Sequence, residues 1–277
     1  MAEKTQKSPR ADAISKFGAA HELKAAAAQV GGNTVSVDPG GATFPTIGAA
    51  LASITDASQQ KQYLLSVGPG TYNEQVTLKP WCFLQGSGRD QTTVSAPPTS
   101  QFLARGTVIA ASNSNIGGMT VTSLGGSWGT WNTALLVGGC SPFYADDVAL
   151  VADDQGNAGI NGETVAVNWN TGTSAPSQVY ISYSTVTCQV ENAQSVAVAA
   201  VFGGPANVEL IETKVVGQGG SQSYGAQSLN AAVVNLRDCF AQGATFALSI
   251  PDGSSTLIAT DCQIQGPVGP GVQIVNT

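Results

Sequence analysis

Histidine is all but missing from this chain: one of 277 residues, His21 near the start. A histidine-dependent catalytic triad or a multi-histidine metal site in the body is thereby excluded. Charged residues make up only 10% of the chain and aromatics 6%. Basic residues nearly vanish after Arg105. Only Lys214 and Arg237 remain against eleven acidic residues, a balance of −9 over 106–277. Such a surface disfavours nucleic acid and polyanionic sugars. The five cysteines show no CxxC or Cys/His ligand spacing, and their odd number argues against a complete disulfide framework. No apolar run reaches membrane-spanning length and the first residues lack a signal-peptide apolar region, so a soluble protein without a membrane span is expected.

Glycine is plentiful, at 33 residues, and the sequence repeats. Over 143–266 the copies FYADDVAL, VYISYSTVT, NVELIETKVV, VVNLRDCFA and TLIATDCQI each carry a polar residue at the centre. These centres are Asp147, Ser184, Glu212, Asp238 and Asp261, spaced 37, 28, 26 and 23 residues apart. Positions −4, −2, +1 and +3 about each centre are mostly apolar or small, which describes two short strands joined by a tight turn. One such unit cannot bury its inner face alone, whereas stacked copies can. The expectation is an all-β solenoid of the parallel β-helix type, one coil per copy, with Val208, Val234 and Leu257 in one inward column. Cys239 and Cys262 share one phase of neighbouring coils and read as a stacked pair of buried thiols. The centres Glu212, Asp238 and Asp261 would face like charges on successive coils. Such a column splays into water, raises its pKa values, or binds a hard cation such as Ca2+. No cofactor is otherwise implied.

Two segments precede the solenoid domain, which is assigned to residues 33–277. Residues 1–32 read as a basic arm followed by an Ala-rich helix over 11–30, ended by Gly31 and Gly32. A second helix, over about 44–54, follows a Gly-rich turn and can cap the first coil. At the far end, 272–275 is a last apolar strand with no helix after it. An open coil edge invites further pairing. The expectation is that residues 1–30 dock on a neighbouring subunit and give a homo-oligomer; the alternative is that they fold back on their own coils.

Between residues 41 and 92 the chain carries Gly41, Phe44, Thr46, Ile47, Ala50 and Leu51, then Val67, Gly70, Tyr72, Glu74 and Val76, then Leu84, Gly86, Gly88, Arg89, Asp90 and Thr92. In order, spacing and residue type this stretch resembles the first coils of the pectin methylesterases. The resemblance implies a single-stranded right-handed parallel β-helix, in agreement with the repeats. It can be followed further. NTALLVGGCSPFYADDVALVADD places the family's first catalytic Gln on Trp131, the Gln of its QD pair on Ala152 and its acid/base Asp on Asp153. AAVFGG places the nucleophilic Asp on Ala199, and the family's catalytic Arg has no counterpart. The esterase needs one carboxylate to attack and another to move protons. Only Asp153 matches, so the resemblance implies a fold kept without its catalytic set. Trp128, Trp131 and Trp169, with Asp153 and Asp154, are the candidate ligand-binding residues, because flat rings stack on sugar faces; the same rings could simply cover the wall. Three functions stay open: a non-catalytic binder of neutral carbohydrate, a structural or assembly scaffold, and a carbohydrate esterase or glycoside hydrolase with a non-standard carboxylate site.

Overall fold

A computed structural model describes residues 33–41, 43–97, 106–125, 132–156, 163–169, 176–191 and 195–276. The arm and helix expected over 1–32, His21 among them, lie outside the described residues, as do Trp128 and Trp131. Every pairing between strands is parallel, and two sheets hold them all. The 16-stranded sheet has a main path of β1 (Thr34–Val37), β2 (Tyr63–Val67), β5 (Cys82–Gly86), β8 (Ser114–Leu124), β10 (Phe143–Asp153), β12 (Ser177–Ser182), β15 (Ala206–Ile211), β18 (Val233–Arg237), β21 (Thr256–Thr260) and β23 (Gln273–Val275). The long strands β8 and β10 run on into a second path. It comprises β3 (Gly70–Asn73), β6 (Thr92–Ala96), β13 (Thr185–Val190), β16 (Lys214–Gly219), β19 (Phe240–Gln242) and β22 (Gln263–Gln265). The seven-stranded sheet stacks β4 (Val76–Thr77), β7 (Val108–Ile109), β9 (Asn132–Leu136), β11 (Glu163–Asn168), β14 (Val196–Phe202), β17 (Gln222–Ser228) and β20 (Phe246–Ser249). A chain that visits the same three strand positions in each coil is a parallel β-helix, as the repeats predict.

The interior is the expected set of columns. Val179, Val208, Val234 and Leu257 are partners on successive coils and all fully buried. Burying each such side chain contributes roughly 1.5–3 kcal/mol, and stacking identical rungs makes the contributions continuous along the axis. Between the two paths the chain bends through one residue in the left-handed region: Gly118 (φ 57°), Asp147 (54°), Tyr183 (50°), Glu212 (44°), Asp238 (53°) and Asp261 (52°). The last four bends are each tied to the next coil. The amides of Tyr183, Glu212, Asp238 and Asp261 donate to the carbonyls of Ile211, Arg237, Thr260 and Val275 at 2.9–3.1 Å.

One centre differs from expectation. The bend of its coil falls on Tyr183, where a small polar residue, Ser184, was predicted. The spacings on either side become 36 and 29 residues. A tyrosine disfavours this conformation, but the alternation decides the register. Only with Tyr183 at the bend do Val179, Ile181 and Val186 point inward, and all three are fully buried.

After the last four of these bends the next residue is small and polar, and its job is visible. Ser184 Oγ, Thr213 Oγ1, Cys239 Sγ and Cys262 Sγ donate to the carbonyls two residues back, at 2.6, 2.8, 3.2 and 3.2 Å. The two stacked cysteines therefore belong to a Ser/Thr/Cys column that serves the bend, and all five cysteines are free thiols.

Helix α1 (Ile47–Ser53) closes the first coils, shorter by a few residues than predicted, with Ile47, Ala50 and Leu51 buried. Both oxygens of Glu74 accept the amides of Ile47 and Gly48 at 2.8 Å, satisfying two of the donors a helix start leaves open. The Tyr72 hydroxyl donates to the Val37 and Gly68 carbonyls. Thr92 Oγ1 accepts from Ser87 N and donates to Gly68 O in the turn after β5. The residues that carry the resemblance over 41–92 thus build the cap and the first turns.

Candidate functional site

The carboxylates of the predicted site stand where β10 ends. Asp153 is half-buried, and its Oδ1 accepts the Gln155 amide at 2.8 Å, a turn formed within its own loop. Asp154 is buried. Its Oδ1 accepts the amides of Gly156 (3.0 Å) and Glu191 (2.9 Å), pinning the turn after β10 to the turn after β13 on the next coil. Asn132, which the sequence reading passed over, belongs to the same corner. Its Nδ2 donates to the carbonyls of Asp153 (2.8 Å) and Gly125 (3.1 Å), while its buried Oδ1 has no partner among the described residues. Nothing in the local sequence marks that role, since it depends on a contact between residues 21 positions apart.

Two other positions matched to the family's catalytic residues face the other way. Ala152 and Ala199 are both fully buried in the interior cluster. Around Ala199 the outer face of β14 is apolar as well: Val198 and Val201 form a second buried cluster with Val165, against which Trp169, Val196, Tyr224 and Leu229 pack.

Trp169 follows β11. Its indole lies flat on the backbone of the next coil, where a Cβ on Gly203 would sit 2.3 Å from the ring and one on Gly204 3.3 Å. Only glycine allows that approach. The ring therefore covers the wall. It is also set apart from Asp153, since the six residues of β11 lie between the two corners, roughly 20 Å of extended chain.

Other chemistry is limited. Burial pushes the Cys82 thiol up to about 11 and the Cys140 thiol up to about 12, and Cys188 rises too. Cys239 is raised by its hydrogen bond to Cys262, and Cys262 is lowered by the same bond. The four raised thiols are protonated at neutral pH, so they are not nucleophiles. Glu212, Asp238 and Asp261 are exposed bends. Among the described residues no three His, Cys, Asp or Glu side chains come together as metal ligands. Nor is any helix there long and apolar enough to cross a membrane.

This architecture is a parallel β-helix of the pectin methylesterase type. It is similar to the pectin methylesterase from carrot, with 11% identity and a TM-score of 0.56 over 90% of this chain and 89% of that one. It is also similar to the Aspergillus niger pectin methylesterase, with 14% identity and a TM-score of 0.54 over 89% and 85%. At such identities the likeness defines the fold. No family model and no curated protein sequence matches the chain.

Proposed function

We propose that this protein is a non-catalytic β-helix that binds neutral carbohydrate and serves as a scaffold. The observation that carries the reading is Ala199, a methyl side chain sealed in the interior at the position the resemblance assigns to the nucleophile. Ester hydrolysis on this plan needs two carboxylates and donors for the oxyanion. Asp154, the other carboxylate at that corner, is spent on two backbone amides. The ligand would meet the corner of Asp153 and Asp154 with Trp128 and Trp131, and the acidic body selects for a sugar without charge. Methanol release from methylated pectin is expected to stay at the level of a protein-free control. Turnover abolished by Asp153→Asn would overturn the reading and restore an enzyme with an unusual site.

The scaffold half extends to self-association. The outer edge of β23 pairs with no described strand, and Ile274 and Val275 beside it are exposed. Residues 1–30 are the segment proposed to cover that edge on a neighbouring copy. Light scattering should give a larger mass for the full chain than for a chain starting at Asn33. Equal monomeric masses would refute it.

A further inference from the structure

The column of small residues behind the bends changes its chemistry towards the C-terminal end. Ser184, Thr213, Cys239 and Cys262 hold the same place on successive coils, and each donates to the carbonyl two residues back. In the first two coils a hydroxyl makes that bond, at 2.6 and 2.8 Å. In the last two a thiol makes it at 3.2 Å, and a thiol is the weaker donor. The bend therefore accounts for a small polar residue at 239 and 262, but not for sulfur at both.

Register brings the two sulfurs together. The residues that follow them, Phe240 and Gln263, are partners on β19 and β22, and the Gln263 amide donates to the Cys239 carbonyl at 2.9 Å. The two side chains thus leave neighbouring coils in the same direction, and their thiols share a hydrogen bond. The pair also has a way in. Cys239 is covered, at 2% exposed, but Cys262 is only half-buried. Its strand β22 pairs with β19 alone, so among the described residues no further rung of that path lies over it.

We infer that Cys239 and Cys262 form a two-coordinate site for a soft monovalent cation of the Cu(I) class. The site is independent of the carbohydrate and assembly readings above. Thiolate ligands select such ions. A linear sulfur–metal–sulfur unit spans roughly twice a metal–thiolate bond of about 2.3 Å, close to the ~4.8 Å between rungs of a parallel stack. A disulfide bond is only about 2.0 Å long, so closing one would draw the sulfurs well inside the spacing that the coils impose. On binding, each thiol gives its proton to water and each sulfur forms one bond to the ion. The ion keeps its oxidation state, so no oxidant or reductant takes part. Two ligands satisfy an ion of this class, whereas structural Zn2+ takes four, and among the described residues no three ligating side chains come together.

Anaerobic titration of the full chain with Cu(I), in competition with the chromophoric chelator bicinchoninate, tests this, and native mass spectrometry counts the ions. We expect one Cu(I) per chain, two sulfur neighbours in its X-ray absorption spectrum, and no retained Zn2+. Cys239→Ser and Cys262→Ser keep a donor for the bend, as Ser184 does, and should each weaken Cu(I) binding at least a hundredfold. Cys140→Ser should leave it unchanged, and circular dichroism verifies that each variant is folded. A wild-type chain that retains no Cu(I), or retention that persists in both serine variants at 239 and 262, would overturn the site. Retention lost in His21→Ala and kept in those two variants would overturn it too, placing the ion on the N-terminal segment. Zn2+ held as tightly as Cu(I) would overturn the two-coordinate geometry.

Discussion

The two outer walls of this solenoid are made by the same rule and end up with opposite characters. On the main path of the 16-stranded sheet the outward rungs run Phe83, Asn115, Tyr144, Tyr180, Glu209, Asn235, a mixture of rings, amides and acid that is half-exposed beyond the buried Phe83. On the seven-stranded sheet they run Thr133, Val165, Val198, Tyr224, Phe246, and there Val165, Val198 and Val201 are buried. An inward column must be apolar, or have its polar groups paired as Ser184 and Thr213 do, whatever the protein does. An outward one is free to vary, so function is written on the outward columns.

The largest effect should come from placing a charge on each wall. Val198→Asp puts a carboxylate on the covered wall with no cation beside it, and an uncompensated buried charge costs about 3–5 kcal/mol. Asn235→Asp on the open wall should change stability by less than about 0.5 kcal/mol. Urea unfolding of the two variants reads the difference, and equal losses would erase the distinction between the walls.

Next in size is Gly203→Ala. The added methyl has no room under the Trp169 ring. Overpacking of this kind costs about 1–3 kcal/mol, and the displaced indole should shift its fluorescence to the red. An unshifted spectrum at wild-type stability would show that the ring does not seal this side.

The smallest effect sharpens the account of the bend between the two paths of the 16-stranded sheet. Tyr183→Asn exchanges a ring for a residue that tolerates the left-handed region. A gain of about 0.5–1 kcal/mol in urea unfolding is expected; a loss would mean that the exposed ring contributes more than its strain costs.

The columns explain what could be read in the chain. Val208, Val234 and Leu257 announce themselves because each repeats at a fixed offset from an acidic bend. The copy centred on Tyr183 was misread by one residue because Ser184 is the better turn former locally, and only the stack reveals that its hydroxyl is needed inside. Glu74 and Tyr72 were legible through the resemblance, but what they do, capping α1 and tying the first coils, needs coordinates. VAVAAVF of β14 is apolar at every position because both its faces are buried, so it shows no alternation from which to tell the wall from the core. The outward row Phe83, Asn115, Tyr144 is illegible in sequence for another reason. Phe83 and Tyr144 lie 61 residues apart, yet each is one rung from Asn115.

The tethers at the bends have a mechanical corollary. The amides of Tyr183, Glu212, Asp238 and Asp261 are anchored to the coil that follows each, and every strand is bonded only to the coils on either side. A pull along the axis at one end therefore loads a single rung, not the whole stack, and stability divides into nearest-neighbour terms. Stretched in this way, the molecule should give way in a series of small steps, peeling like a spring unwound from its tip. A sideways pull would have to shear many rungs together and should meet far greater resistance.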